Sequence, residues 1–404
     1  MSHSITLSNE TISAAGFNDF YIAHCQSKIT NVSASDAGLT VHFDNDEQGK
    51  LFSWFWVRDH GIDANSLDQQ TLQRLTDTFT TPEDIACTDV KIDTDSQLLE
   101  LHWSTGETSI ISAYFFASVM GVAPARHDLS PINPRVLWDK TSPLDSLPTV
   151  DFKSVMQGDS GLQTWLENIH TYGFSVVTDV PSNKQDTDLL ANRVGLVQET
   201  LFGKMWELSS EVIDHGDSAY STSYLEPHTD GTYYHDAAGL QMFNCLQFDG
   251  RGGGSTQVDG FAIAEQIRQG DPEAYKTLTQ VPVIGHYIEP GVHVRAERPV
   301  FRLDSEGVLV QVSFNNYDRA PFLLEGDELK RFHRAYKLFH TLVNNQENWV
   351  KIALRPGMTL IFDNWRNLHG RMGYVGKRVF YGCYHSKAEF ESKLRVLQAS
   401  NFSL

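Results

Sequence analysis

Leu225-Glu226-Pro227-His228-Thr229-Asp230-Gly231-Thr232 decides how this chain is read. Successive side chains of a strand point to opposite faces, so residues i and i+2 share one. Where this stretch ends a strand, His228 and Asp230 offer an imidazole and a carboxylate to the same point. A second imidazole from a distant strand completes a two-histidine, one-carboxylate triad. That ligand set suits non-haem iron(II) and leaves positions open for a co-substrate and dioxygen. Alone, the pattern is weak. The chain has 16 histidines and repeats the spacing at His42-Phe43-Asp44 and His215-Gly216-Asp217. We read those two as an ordinary strand histidine and a polar-loop histidine.

The third match has company that the others lack. In Leu360-Ile361-Phe362-Asp363-Asn364-Trp365-Arg366-Asn367-Leu368-His369-Gly370-Arg371 an apolar strand runs into a polar turn and ends in His-Gly-Arg. Lys377-Arg378 then opens another strand, nine residues past His369 (378 − 369). An arginine there can grip the far carboxylate of 2-oxoglutarate through two parallel hydrogen bonds. Arg371 is the alternative, since it too follows His369. Each residue alone is an ordinary surface or strand-end group; their order makes His228, Asp230 and His369 the expected iron ligands. A hydrolase or isomerase on a jelly roll could use the same three ligands, but would have no use for Arg378. A binding module would need none of the four.

Composition frames this reading. The chain has 404 residues, 41% of them hydrophobic, enough for two domains with real cores. The formal net charge of −19 repels nucleic acid and anionic membranes. It suits a cationic small substrate as well as it suits any generic acidic surface. Cys25, Cys87, Cys245 and Cys383 are scattered without a C-x-x-C pair, which argues against disulfides and structural zinc. Met1 to Glu10 is polar and lacks a leader pattern, and the apolar stretch Ala113 to Ala125 is too short to cross a bilayer. The expectation is a cytoplasmic protein.

Along the chain, residues 1–125 read as a small β-rich domain, with strands at Leu39 to Phe43, Leu51 to Val57 and Leu98 to Trp103. Residues 126–150 carry Pro131, Pro134, Pro143 and Pro148 and read as a linker. Residues 151–404 read as one larger domain. Helices are expected at Gly161 to Tyr172, Asp186 to Leu201, Phe261 to Thr279 with a break near Pro272, and Asp327 to Asn344. Strands are expected at Phe174 to Val177, Gly239 to Gln247, Thr256 to Val258, Val308 to Phe314, Met358 to Phe362 and Val379 to Tyr384, with a turn at Arg251 to Ser255. The fold class is mainly β with helical insertions, a sandwich or jelly roll.

The chain also resembles the γ-butyrobetaine and trimethyllysine dioxygenase family. The pieces that carry the resemblance are Gly203-Lys204-Met205-Trp206, Asp217-Ser218-Ala219-Tyr220, His228-Thr229-Asp230, Val258-Asp259-Gly260-Phe261, Asn315-Asn316-Tyr317-Asp318-Arg319-Ala320 and Asp363-Asn364-Trp365-Arg366. The second and fifth look more like the trimethyllysine branch. The resemblance implies a double-stranded β-helix catalytic domain behind a small N-terminal domain, and a homodimer. It implies iron(II), 2-oxoglutarate and dioxygen, with ascorbate as reductant. It also implies a trimethylammonium substrate. Such a group cannot donate hydrogen bonds and is held against aromatic faces, here Phe202, Trp206, Tyr220 and Tyr384. Asp217 would meet an α-ammonium, and Asn315 a carboxylate. The expected step is 3-hydroxylation of Nε-trimethyllysine, ahead of hydroxylation of γ-butyrobetaine or another small substrate. Two departures stand out: Phe202 replaces the usual tyrosine, and His60-Gly61-Ile62-Asp63 stands where many relatives bring zinc-binding cysteines after Trp56-Val57-Arg58-Asp59.

Overall fold

A computed structural model describes residues 5–13, 15–17, 27–120, 134–209 and 221–399. The chain divides into two compact units, Met1–Ile132 with Gln398–Leu404, and Asn133–Leu397.

The smaller unit holds an antiparallel three-stranded sheet, Ile29–Ser35, Gly38–Phe43 and Asp46–Phe52. A second sheet orders Thr6–Asn9, Cys87–Asp93, Leu98–Trp103 and Thr108–Ser112. Leu39, Val41, Phe43, Val90, Leu99 and Leu101 share one core, the alternation expected of half-buried strands. The strand expected over Leu51 to Val57 is corrected. Pairing stops at Phe52, and Trp54–Asp59 is a helix. Ser53 starts it by accepting the Trp56 N–H on its Oγ at 3.3 Å, and Trp54 and Val57 are buried one turn apart. His60 then stacks on Trp56 at 4.0 Å and meets the Trp56 carbonyl through Nδ1 at 2.7 Å.

The larger unit is built on two sheets. The first runs in the order Val197–Gln198, Tyr374–His385, Leu240–Gly252, Met358–Asp363, Phe174–Thr178, Thr149–Asp151, with Met205–Ser209 also paired to Tyr374–His385. The second orders Leu225–His228, Asn367–Arg371, Ser255–Asp259 and Val350–Ile352. Period-two alternation gives the first sheet two faces. Leu240 and Met242 pack outward with Leu166, Ile169, Leu190 and Phe390 of flanking helices. Phe243, Phe362 and Phe380 point inward, where Phe362 meets His369 of the second sheet at 4.7 Å.

Two buried devices hold the turn that precedes His369. Arg366 is fully buried and pairs with Asp259 through Nε at 3.1 Å and Nη2 at 2.7 Å. Its remaining N–H groups reach the carbonyls of Val136, His170 and Thr171. A buried ion pair is tolerable only when its other hydrogen bonds are met in this way. Lys387, at the start of the Lys387–Ala399 helix, donates to Asp363 Oδ2 at 2.6 Å.

Several expectations shift. The helix expected over Asp186 to Leu201 is Lys184–Val194; Gly195 ends it, and Val197–Gln198 joins the sheet. The turn expected at Arg251 to Ser255 narrows to Gly253-Gly254, because Leu240–Gly252 stays paired with Tyr374–His385 to its end. Residues 134–150 are built into the larger unit: Trp138 is buried against Phe174 and donates to the Tyr172 carbonyl, and Thr149–Asp151 pairs in parallel with Phe174–Thr178. The hairpin Pro282–Glu289 and Val292–Pro299 had no counterpart in the sequence reading. Among the described residues no helix is long and apolar enough to cross a membrane.

Candidate active site

His228 and His369 sit directly opposite each other on neighbouring antiparallel strands, their rings 4.5 Å apart. Asp230 joins them just past the strand end, its Oδ1 3.4 Å from His228 Nε2 and 3.7 Å from His369 Nε2. Among the described residues no other His, Cys, Asp or Glu trio comes together this way.

His228 and Asp230 are held from behind. Thr229 points to the opposite side, where its N–H donates to the Phe314 carbonyl at 2.8 Å and its Oγ1 accepts the Phe314 N–H at 2.9 Å. His228 Nδ1 lies 2.7 Å from the Glu226 carbonyl. Donation there leaves the Nε2 lone pair for a metal. Asn364 clamps the backbone of Asp230: its Oδ1 accepts the Asp230 N–H at 2.8 Å, and its Nδ2 donates to the Asp230 carbonyl at 3.0 Å. The Tyr384 hydroxyl donates to Asp230 Oδ2 at 2.8 Å.

The electrostatics suit a cation. Burial alone would raise the Asp230 carboxyl, but the His369 and His228 imidazoles and the Tyr384 hydroxyl hold it below the ordinary carboxylate range. Burial pushes His369 down to about 3, so that imidazole is neutral at physiological pH. On His228 burial also opposes charge, yet the hydrogen bond and charge of Asp230 pull its pKa upward. Two imidazoles, each neutral when it ligates, and a carboxylate form a donor set that would suit a divalent ion.

Arg378 lines the same pocket. It is 8% exposed, stacks on Phe380 at 3.9 Å, and donates to the Gly253 carbonyl at 3.3 Å. Among the described residues its Nε meets no acceptor and no carboxylate pairs with it. Burial and the neighbouring Arg371 push it down to about 10. Arg371 is differently employed, donating through Nη2 to the carbonyls of Ser221 at 2.6 Å and Ser223 at 2.9 Å. The geometry thus leaves Arg378, more than Arg371, for an anionic ligand.

Phe202, Trp206 and Tyr384 come together on the pocket wall, with Trp206 and Tyr384 5.4 Å apart. Asn315 reaches the pocket too, but its Nδ2 already donates to Asp318 Oδ2 at 2.6 Å, so it presents the Asp318 carboxylate. Asp217, Tyr220 and His215 lie outside the described residues. His42 stays in the smaller unit, away from any such trio. Asn364, which clamps Asp230, and Gln241, Tyr233 and Asp318, which line the pocket, were not singled out from the sequence. Two of these lie inside the quoted motifs, where the Asp363-Asn364 and Tyr317-Asp318 pairs were the available signal.

Residues 138–384 match the family described as taurine catabolism dioxygenase TauD, TfdA family. The chain belongs to this dioxygenase family. Within it, the chain is 34% identical to the mitochondrial trimethyllysine dioxygenase of Rattus norvegicus over 353 residues, covering 86% of this chain and 82% of the rat protein. It is 32% identical to the trimethyllysine dioxygenase of Meyerozyma guilliermondii, over 92% of this chain and 96% of the yeast protein. The γ-butyrobetaine dioxygenase of Pseudomonas sp. strain AK-1 is 30% identical over 92% of this chain and 97% of its own. The resemblance read from the motifs therefore holds over most of this TauD/TfdA dioxygenase.

Proposed function

We propose that this dioxygenase converts Nε-trimethyllysine to its 3-hydroxy derivative, with iron(II) held by His228, Asp230 and His369 and 2-oxoglutarate gripped by Arg378. The observation that carries the reading is one pocket holding both the triad and a buried guanidinium with no carboxylate of its own among the described residues. When bound, iron(II) supplies the activation of dioxygen: one oxygen atom enters a substrate C–H bond as hydroxyl, the other ends in succinate as 2-oxoglutarate loses carbon dioxide. The residues supply position, which decides the hydrogen that is lost. Arg378 fixes the far end of 2-oxoglutarate in a site where burial strengthens the ion pair. Phe202, Trp206 and Tyr384, with Tyr220, take the trimethylammonium by their faces. Asp318 and Asp217 are the acids for an α-ammonium. A carboxylate there attracts an amino acid's ammonium and repels the lone carboxylate of γ-butyrobetaine, which favours trimethyllysine.

We read the two facing sheets as a double-stranded β-helix, and include a homodimer, ascorbate dependence and cytoplasmic placement. The last rests on the buried free thiols of Cys87, Cys245 and Cys383. Purified protein with iron(II), ascorbate and 2-oxoglutarate should form succinate and add one oxygen to trimethyllysine by mass spectrometry. Ready turnover of γ-butyrobetaine with none of trimethyllysine would move the assignment to the other branch.

A further inference from the structure

Tyr384 serves two neighbours with different tasks. Its ring lies against Trp206 in the aromatic wall. Its hydroxyl holds Asp230 by Oδ2, the oxygen turned away from the imidazoles, while Oδ1 faces both Nε2 atoms. Behind it stands Gln241, directly opposite Tyr384 on the adjacent strand. The Gln241 Nε2 donates to the Tyr384 hydroxyl oxygen at 3.2 Å, and the side chain is 3% exposed with its Oε1 unpartnered among the described residues.

We propose that Tyr384 is a positioning residue for the metal carboxylate as well as a wall of the cation site, and that Gln241 anchors its hydroxyl. The inference rests on the function proposed above. A carboxylate with both oxygens free can bind an ion through one or both. An ion held by His228, Asp230 and His369 would need its remaining places for co-substrate and dioxygen. A second oxygen from Asp230 would take one of them. A buried hydroxyl donating to Oδ2 makes a strong charge-assisted bond and keeps that oxygen from the ion. The ring that receives the substrate's cation thus carries the hydroxyl that sets the metal's free positions.

Ring and hydroxyl can be separated by substitution. Metal-free wild type, Tyr384→Phe, Tyr384→Leu and Gln241→Leu are titrated anaerobically with iron(II), then with Nε-trimethyllysine. The 2-oxoglutarate consumed per hydroxylation is counted, and thermal melts check folding. Tyr384→Phe should weaken iron(II) binding about 10- to 100-fold and consume extra 2-oxoglutarate per product. It should keep trimethyllysine affinity within roughly twofold, because the ring remains. Tyr384→Leu should lose both affinities. Gln241→Leu should shift iron(II) binding in the same direction by a smaller factor. Wild-type iron(II) affinity and coupling in folded Tyr384→Phe and Gln241→Leu overturn the inference alone. So does a trimethyllysine affinity that falls as far in Tyr384→Phe as in Tyr384→Leu. A wild type that binds neither iron(II) nor trimethyllysine overturns the proposed function with it.

Discussion

His42-Phe43-Asp44 and His228-Thr229-Asp230 are the same three-residue pattern, each with its histidine on a strand, and only one builds a ligand cluster. In the first, the imidazole covers Gly49, lying 2.5 Å from where a Cβ would stand. Asp44 leaves for the hairpin and accepts the Lys28 N–H at 3.2 Å. Opposite His42 across the ladder is Asn31. In the second, the residue opposite is His369, the middle residue is tied to Phe314, and Asn364 fixes the backbone of the acid. Local alternation brings an imidazole and a carboxylate to one side. The cross-strand partner and the backbone clamp turn that proximity into a site.

The sharpest break of this comparison is to remove the partner. His369→Ala or His228→Ala should reduce bound iron, measured by elemental analysis, and succinate formation to background. His42→Ala should leave both unchanged and move stability by no more than about 0.5 kcal/mol. Iron retained in His369→Ala would show that register does not make the difference.

Next in size is the guanidinium. Arg378→Ala should raise the KM for 2-oxoglutarate on the order of 100-fold, since hydrogen bonds between charged groups contribute about 1.5–3 kcal/mol. Arg378→Lys should recover part of this, keeping the charge without the fork. Arg371→Ala should lower the melting temperature by removing its bonds to the Ser221 and Ser223 carbonyls, with little change in that KM. The reverse pattern would exchange the two arginines.

The clamp comes third. Asn364→Ala strips partners from the Asp230 N–H and carbonyl and from the Ala238 carbonyl. Leaving such buried groups unmet costs about 1–3 kcal/mol each, so a clear fall in chemical stability and weaker iron(II) binding are expected. Normal iron affinity in a folded Asn364→Ala would make the clamp incidental. The smallest effect runs the other way. Asn31→His gives His42 an imidazole across the ladder, and nickel(II) titration should detect a new weak site absent from wild type. If none forms, pairing across strands is insufficient without a clamp.

The same contrast explains what the sequence made legible. The gathering of His228, Asp230 and His369 in one pocket with Arg378 was legible because period-two alternation and residue order are local features of the sequence. The aromatic run Leu51 to Val57 misled because apolar content alone does not separate a strand from a short helix, and the signal lay in the single capping hydroxyl of Ser53. Trp138 was hidden among prolines, since its burial depends on residues as distant as Tyr172 and Phe174. Gln241 and Asn364 have meaning only once register places them against Tyr384 and Asp230. No local pattern encodes that.

The Lys387–Ala399 helix carries no ligand and no wall of the pocket, yet Lys387 neutralises Asp363 and the helix buries Phe390 and Leu394 against the sheet. Asp363 in turn accepts the Trp365 N–H, one residue beyond the clamp Asn364. A nonsense mutation at Lys387 would therefore spare every residue proposed to act in the chemistry and still silence the gene product, so a harmless-looking tail truncation should score in a genetic screen beside alleles of His369.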